Sequence, residues 1–299
     1  MSERYPFSPF PRGWYHVASL DELPPRKVLP LRALGRDLVL FRTKGGEAAL
    51  LDAHCPHQGA HLGHGGRVID ETLRCPFHGW RFGADGRCAH AAGADEIPRG
   101  AEVARYPLLE RGGGLVAGFA GERGELPPEP DELEDGEVVL ERVWDVRAHV
   151  HEAVENLVDA AHFAALHHTP SRPRTSFEPR GDEARIESRL AMASLEGDVA
   201  TTLDAHGVGL GWWVLRFGGI ADVTVLTTAT PLDAERLSFR LRFVARGDAE
   251  AAASFARSVC VQVDQDKLVW EHKVYREAPL LTAADGPIAE YRAWARRFY

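Results

Sequence analysis

Cys55-Pro56-His57 and, after the 17 residues 58 to 74, Cys75-Pro76-Phe77-His78-Gly79-Trp80 decide how this chain is read. Each stretch brings one thiol and one imidazole. Mixed pairs suit a [2Fe-2S] cluster in which two Cys (Cys55, Cys75) hold one iron and two His (His57, His78) replace thiolates on the other, raising the reduction potential. Imidazole offsets less of the iron's charge than thiolate, so the reduced state is favoured. The proline after each Cys fixes φ and removes a donor, and Gly59, Gly63, Gly65, Gly66 and Gly79 allow tight loops around it. The competing reading is a structural zinc site, which also uses two Cys and two His. Zinc ligands usually come as like pairs, CxxC with HxxxH, and the mixed pairs favour the cluster.

Outward from the motif, 299 residues are enough for two domains, each with its own core. A composition 44% hydrophobic and 26% charged is that of an ordinary globular protein. The net charge of -9 argues against a nucleic-acid binder, which needs a basic face, yet leaves room for a local basic patch. The first residues, Met1-Ser2-Glu3-Arg4-Tyr5-Pro6, hold no apolar leader, and no stretch approaches 18 apolar residues. A cytoplasmic protein without a membrane span is expected. In that reducing compartment Cys88 and Cys260, the two cysteines outside the motif, form no disulfide.

Strand-like runs fill residues 13 to 120: 14–17, 27–31, 37–43, 47–52, 81–82 and 115–119. Lys44-Gly45-Gly46 and Asp85-Gly86 supply hairpin turns between them. Residues 1–125 therefore read as an all-β domain, and 126–137, acidic and proline-rich, as a linker. The remainder, 138–299, reads as α+β: a strand over 138–146, a helix from about Ala148 to Leu166, a loop over Thr169 to Arg180, then alternating strands over 185–195, 199–203, 212–217, 223–230 and 236–245. Turns are expected at Gly197-Asp198 and Leu232-Asp233. A long helix from Ala249 to Val263 or beyond follows, and Pro287 opens a last one ending at Phe298. Alternate residues among Trp212, Trp213, Phe217, Val225, Leu226, Phe239, Leu241 and Phe243 can line an apolar cavity or simply fill the core.

The expected helix over 148–166 and the residues just after it carry a second constellation, Glu155-Asn156-Leu157-Val158-Asp159-Ala160-Ala161-His162-Phe163-Ala164-Ala165-Leu166-His167-His168. Iron that activates dioxygen takes two imidazoles and one carboxylate on one face and leaves the other positions open. His162 and His167 are the candidates, with His168 the rival for the second. Residues five apart on a regular helix diverge by roughly 140°. To share a metal, the helix must widen by a π-bulge or end between them. Asp159, three residues before His162, shares its face of the helix and can fix the His162 tautomer.

The run from Leu51 to Gly66, followed by Cys75-Pro76-Phe77-His78-Gly79-Trp80-Arg81-Phe82, resembles the Rieske domain of Rieske non-haem iron oxygenases. Within them it is most similar to the steroid-oxidising branch, the oxygenase component of 3-ketosteroid 9α-hydroxylase and the cholesterol 7-desaturases. The resemblance implies an N-terminal all-β Rieske [2Fe-2S] domain followed by a helix-grip (START-like) catalytic domain with an antiparallel sheet. It implies that His162 and His167 bind Fe(II) and that Asp159 and Asn156 act at the site. Val263-Asp264-Gln265-Asp266-Lys267-Leu268-Val269-Trp270 resembles that branch's QDxxxW-like stretch, making Asp266 the third ligand, with Asp264 the alternative. In the family the aspartate matching Asp159 bridges to a cluster histidine of a neighbouring chain, here His78 of the partner subunit, so a homotrimer is implied.

The activity so implied is an oxidoreductase, a terminal oxygenase that consumes O2 and hydroxylates or desaturates an apolar polycyclic substrate, steroid-like or another natural product. Gly112-Gly113-Gly114 lacks the context of a dinucleotide fold. Electrons from NAD(P)H are thus expected only indirectly, through a separate flavin-dependent, ferredoxin-type reductase. The alternatives are an O- or N-demethylating Rieske oxygenase and a Rieske electron carrier without oxygenase activity. One departure stands out: the catalytic half is shorter than in the steroid enzymes.

Overall fold

A computed structural model describes residues 4–121, 124–131, 133, 136–194, 197–219 and 221–299. The chain divides into two compact units, His16–Phe119 and a second made of Met1–Tyr15 with Ala120–Tyr299.

The first unit holds short strands: β1 (Gly13–Ser19, which straddles the division), β2 (Val28–Ala33), β3 (Arg36–Arg42), β4 (Ala48–Asp52), β5 (Arg67–Ile69), β6 (Thr72–Arg74), β7 (Arg81–Gly83), β8 (Cys88–His90), β9 (Arg105–Tyr106), β10 (Leu108–Arg111) and β11 (Gly114–Phe119). They form three sheets, β1-β11-β10, β2-β3-β4-β9 and β5-β6-β7-β8. Val39, Phe41, Leu51, Leu62, Leu73 and Phe82 fill its core. Strands β5, β6, β8, β9 and β10 were not expected: two to four residues with mixed polarity are too short for a period of two to register. The two motif loops follow β4 and β6 and are built alike. The Cys55 N–H donates to the Ala60 carbonyl (2.9 Å) and the Cys75 N–H to that of Trp80 (2.7 Å), each closing a six-residue loop. In each, the fifth residue is a glycine with positive φ, Gly59 at 73° and Gly79 at 75°, where a side chain would be strained.

The second unit contains β12 (Glu137–Val146), α1 (Val150–Val158), α2 (Ala161–Leu166), β13 (Arg174–Arg180), β14 (Glu183–Ser194), β15 (Gly197–Val208), β16 (Trp212–Gly218), β17 (Val223–Pro231), β18 (Leu237–Ala245), α3 (Ala249–His272) and α4 (Ile288–Ala295). One seven-stranded antiparallel sheet runs in the order β12-β18-β17-β16-β15-β14-β13. Helix α3 starts on Asp248, whose carboxylate accepts from the Glu250 and Ala251 N–H groups. Its buried stripe, Ala252, Phe255, Ala256, Cys260, Val263, Asp266 and Trp270, recurs every three to four residues. That stripe packs on the sheet, Phe255 against Phe217 (4.9 Å) and Trp270 against Phe239 (5.5 Å). No helix among the described residues is long and apolar enough to cross a membrane.

Four expectations change. The helix expected over 148–166 is broken at Asp159-Ala160: Asp159 is extended (φ -71°, ψ 110°), and the Ala160 N–H turns to the Asp285 carbonyl (3.1 Å). The segment expected to be loop up to Arg180 becomes edge strand β13 from Arg174, paired with β14. Gly197 pairs with Ser194 and Asp198 with Ala193, so the expected turn at Gly197-Asp198 is strand instead; residues 195 and 196 lie outside the described residues. Finally, residues 1–15, placed by the sequence in the first domain, belong to the second unit. Arg4 donates to the carbonyls of Arg147 (2.7 Å), Trp270 and Lys273, and Arg12 grips Asp182 through both terminal nitrogens (2.8 and 2.6 Å).

Candidate metal centres and the adjoining cavity

In the first unit the loops bring their four candidate ligands to one end of the small sheets. Cys55 and Cys75 are buried, His57 is exposed and His78 half-buried. The two rings meet edge to face with centroids 4.6 Å apart, and His57 stacks on Trp80 at 4.6 Å and 3°. Burial pushes the Cys55 thiol up to about 11 and Cys75 beside it adds to the rise, while the His57 and Gln58 backbone N–H groups act the other way. Those amides are aimed at a thiolate, the form that binds iron. Two soft sulfurs deep and two imidazoles outward is the donor set of a Rieske cluster. Cys88 and Cys260 are buried free thiols.

In the second unit, ligand atoms of His162, His167 and Asp266 all lie within 4.8 Å of one another, the one such group of His, Cys, Asp or Glu among the described residues. The His167 Nε2 is 3.2 Å from Asp266 Oδ1, and the His162 Nε2 is 4.0 Å from the same oxygen. Local folding explains the meeting. Helix α2 ends at Leu166, one residue before His167, and His168 takes a left-handed φ of 55°. The helix thus ends between the two imidazoles, the second of the two distortions that the five-residue spacing requires, and His168 stays outside the group.

Asp266 comes from the buried stripe of α3 and is 5% exposed. Asp264, off that stripe, accepts on its Oδ1 from the Arg142 guanidinium (2.9 Å) and the Trp144 indole N–H (2.8 Å). Helical period separates the two acids, since only Asp266 falls in step with Phe255, Val263 and Trp270. The site also fits a cation on its own evidence. Both His162 ring nitrogens and Asp266 Oδ1 are buried without a hydrogen-bond partner, and buried polar atoms are rarely left so. Burial disfavours a charged His167, but the Asp266 carboxylate beside it outweighs burial and raises the His167 pKa.

The surrounding side chains are committed to these three. Asn156 Nδ2 donates to Asp266 Oδ2 (3.1 Å), leaving Oδ1 free. His167 Nδ1 meets Gln265 Oε1 at 2.8 Å. The sequence assigns Gln265 no role of its own; its place next to an in-step acid on α3 is the signal that points to one. Asp159 does reach His162, with Oδ1 3.7 Å from Nδ1, but from a cap and not from a shared helix face. Its Oδ1 accepts from the Ala161 and His162 N–H groups (2.9 and 3.3 Å). Burial would raise the Asp159 pKa, and the His162 ring with these two amides lowers it instead.

Beside the triad lies a cavity of about 100 Å³ lined by side chains from the sheet and from α3. Alternation sets the face each side chain takes, and position along the strand decides the rest. Phe217, Val225, Phe239 and Leu241 line the cavity, Trp213 and Phe243 share their face and core but lie beyond it, and Trp212 and Leu226 point to the opposite face. Among the described residues no Lys or Arg lines it, and the side chains of two of its polar residues, Thr227 and Gln262, have no protein partner there; the Thr227 hydroxyl is fully buried.

A cluster-binding β unit and a helix-grip unit with a His, His, Asp triad beside an apolar cavity together define a Rieske-type oxygenase. Residues 13–107 match the Rieske [2Fe-2S] domain, and 127–299 match the 3-ketosteroid 9alpha-hydroxylase C-terminal domain, so the chain belongs to that family of Rieske oxygenases. It is similar to the cholesterol 7-desaturase nvd of Xenopus laevis, 28% identical over 326 residues, covering 97% of this chain and 72% of that one. It is equally similar to a 3-ketosteroid-9-alpha-monooxygenase oxygenase component of Rhodococcus rhodochrous, 28% identical over 335 residues, covering 97% and 84%. In fold it resembles crystalline dicamba monooxygenase bound to 3,6-dichlorosalicylic acid, with a TM-score of 0.76 at 19% identity over 96% of each chain. The chain is an oxidoreductase that works with a [2Fe-2S] cluster, non-haem Fe(II) and O2.

Proposed function

We propose that the chain is the terminal oxygenase of a cytoplasmic, homotrimeric monooxygenase that hydroxylates or desaturates an apolar polycyclic substrate, steroid-like or another natural product. A separate flavin-dependent, NAD(P)H-linked reductase supplies its electrons. The observation that carries this reading is the convergence of His162, His167 and Asp266 within 4.8 Å beside an apolar cavity. In it, Cys55, Cys75, His57 and His78 hold the cluster and the triad holds ferrous iron. When bound, the two centres supply reductive activation of dioxygen, with two electrons and two protons consumed per turnover.

The chain's own residues do the rest. His162, His167 and Asp266 would hold the ion as two imidazoles and one carboxylate, a donor set that would leave room for oxygen chemistry beside the cavity they line. Gln265 accepts the His167 Nδ1 proton, leaving Nε2 free as the donor atom. Asn156 ties down one Asp266 oxygen, so the other would be the one to hold the ion. Phe163, Phe217, Phe239 and Phe255 keep water out. Asp159 is 30% exposed and carries two amide bonds and the His162 ring, which leaves its second oxygen for His78 of the partner subunit, as the family's trimer requires. Ligand pockets of this kind run to about 300–1,000 Å³. With about 100 Å³ free, the phenylalanine walls must swing aside to admit a four-ring skeleton.

The test is reconstitution with a reductase and a panel of two- to four-ring apolar compounds, read by product mass and by iron per chain. Three irons and a product that gains one oxygen or loses two hydrogens support the proposal. Two irons and no product would instead assign the chain to electron transfer alone.

A further inference from the structure

The face of β13 and β14 turned away from the cavity carries an arginine cluster with no assigned work. Ser188 and Leu190 line the cavity, and Arg189 between them points the other way. Its direct partner across the ladder is Arg174, and both are exposed. Like charges placed directly opposite in a sheet destabilise it. Neither arginine, nor Arg172 two residues earlier, has an ion pair or hydrogen-bond partner among the described residues. Arg185, further along the same face, shows the usual arrangement: it is held by Asp204 (2.6 Å) and Glu187 (3.1 Å). In a chain of net charge -9, three uncommitted arginines side by side are conspicuous.

They line an open groove of about 1040 Å³, walled on its other side by Thr282, Ala283 and Gly286. Glu187, the one carboxylate on the groove among the described residues, is already taken by Arg185. Pro173 belongs to both walls, one side of its segment lining the groove and the other the iron-side cavity. We infer that this groove binds an anionic group, a carboxylate or a phosphate, borne on the tail of a substrate whose apolar body occupies the cavity. The inference rests on the oxygenase reading above and narrows its substrate class from apolar to amphipathic. Among the described residues no Lys or Arg lines the cavity, so an anionic tail finds no paired N–H donors there and meets them in the groove. Arginine forks match planar or tetrahedral oxyanions through paired N–H donors, and an anion between Arg174 and Arg189 relieves the repulsion that the register imposes.

The experiment measures equilibrium binding by tryptophan fluorescence, since Trp270 lines the cavity. It uses the full chain loaded with cluster and iron, without reductase. The probes are cholestenoic acid, its methyl ester, and the phosphate ester of the matching alcohol. The acid or the phosphate ester should bind about tenfold more tightly than the neutral ester, and whichever wins identifies the anion. That advantage should vanish in Arg174→Gln with Arg189→Gln and shrink as salt rises from about 50 to about 500 mM. Neutral-ester affinity should stay the same, and the melting temperature should hold or rise because a like-charge pair is gone. Equal affinity for charged and neutral probes in the wild type, or equal loss of both in the variant, overturns the groove while leaving the oxygenase reading intact. Failure of all three probes to bind overturns the apolar-cavity reading and the groove with it.

Discussion

Gln265 settles which nitrogen of His167 is available. An amide oxygen 2.8 Å from Nδ1 requires the proton there, so Nε2 carries the lone pair and lies 3.2 Å from Asp266 Oδ1. Partners of this kind are worth 10- to 100-fold in metal affinity. Gln265→Leu should therefore weaken iron binding at the triad by roughly that factor while the cluster's visible spectrum stays unchanged. Gln265→Glu, which still accepts the proton, should recover most of it. Iron titration of chains already carrying the cluster measures both; unchanged affinity in Gln265→Leu would show that the ring is oriented without the amide. At this scale much was legible beforehand. The five-residue spacing of His162 and His167 dictated that the helix stop or bulge, and it stops. What one sequence hid was the agent: Asp159 holds the start of α2 by accepting two amides, and no Gly or Pro announces that break.

Helices α1 and α4 are joined by a buried ion pair whose pH response has a definite sign. Arg292 bonds both oxygens of Glu155 (2.5 and 2.8 Å), with His151 3.4 Å away on the same helix. Burial would raise the Glu155 pKa, but the Arg292 and His151 bonds win and hold it at about 2 against an ordinary 4.5. A depressed carboxylate stabilises the fold above its unfolded pKa and loses that contribution as pH falls through the folded value. About 3 kcal/mol is at stake between pH 4.5 and about 2. His151, whose pKa burial lowers, adds a loss of the same sign below pH 6.5, because the unfolded chain takes up the proton first. Glu155→Gln should cost about 3–5 kcal/mol at neutral pH by stranding Arg292 and flatten the acid limb of the stability curve. Urea midpoints from pH 7 to pH 3 test this, and parallel curves for the two proteins would exclude Glu155 as the titrating group. Neither Glu155 nor Arg292 carried this role in the sequence, where a pair 137 residues apart leaves no periodic trace.

Across the whole molecule the chain opens in one unit, builds the other, and returns. The β motif and the linker-like composition after residue 120 were legible because ligand spacing and proline content are local. The placement of residues 1–15 was not, because their anchors, Asp182, Glu152 and the end of α3, lie 140 or more residues away. Arg4 matters most there. It binds the Trp270 and Lys273 carbonyls, which belong to the last turn and cap of α3, the helix that carries Asp266. Terminal carbonyls of a helix need such donors, and a cation there also suits the helix dipole. Tyr5 reinforces the clasp, its hydroxyl donating to buried Glu152. Removing residues 1–10 should therefore lower the melting temperature of the catalytic unit and loosen iron at the triad, although no ligand is deleted. The cluster's visible spectrum should not change, since Cys55, His57, Cys75 and His78 all lie in the other unit. Arg4→Ala alone should produce a smaller shift of the same kind, on the order of 1–3 kcal/mol for unsatisfied buried acceptors. Hydrogen exchange over Lys267 to Lys273 localises the effect: faster exchange there in Arg4→Ala supports the clasp, and protection equal to wild type would mean that α3 ends firmly without it.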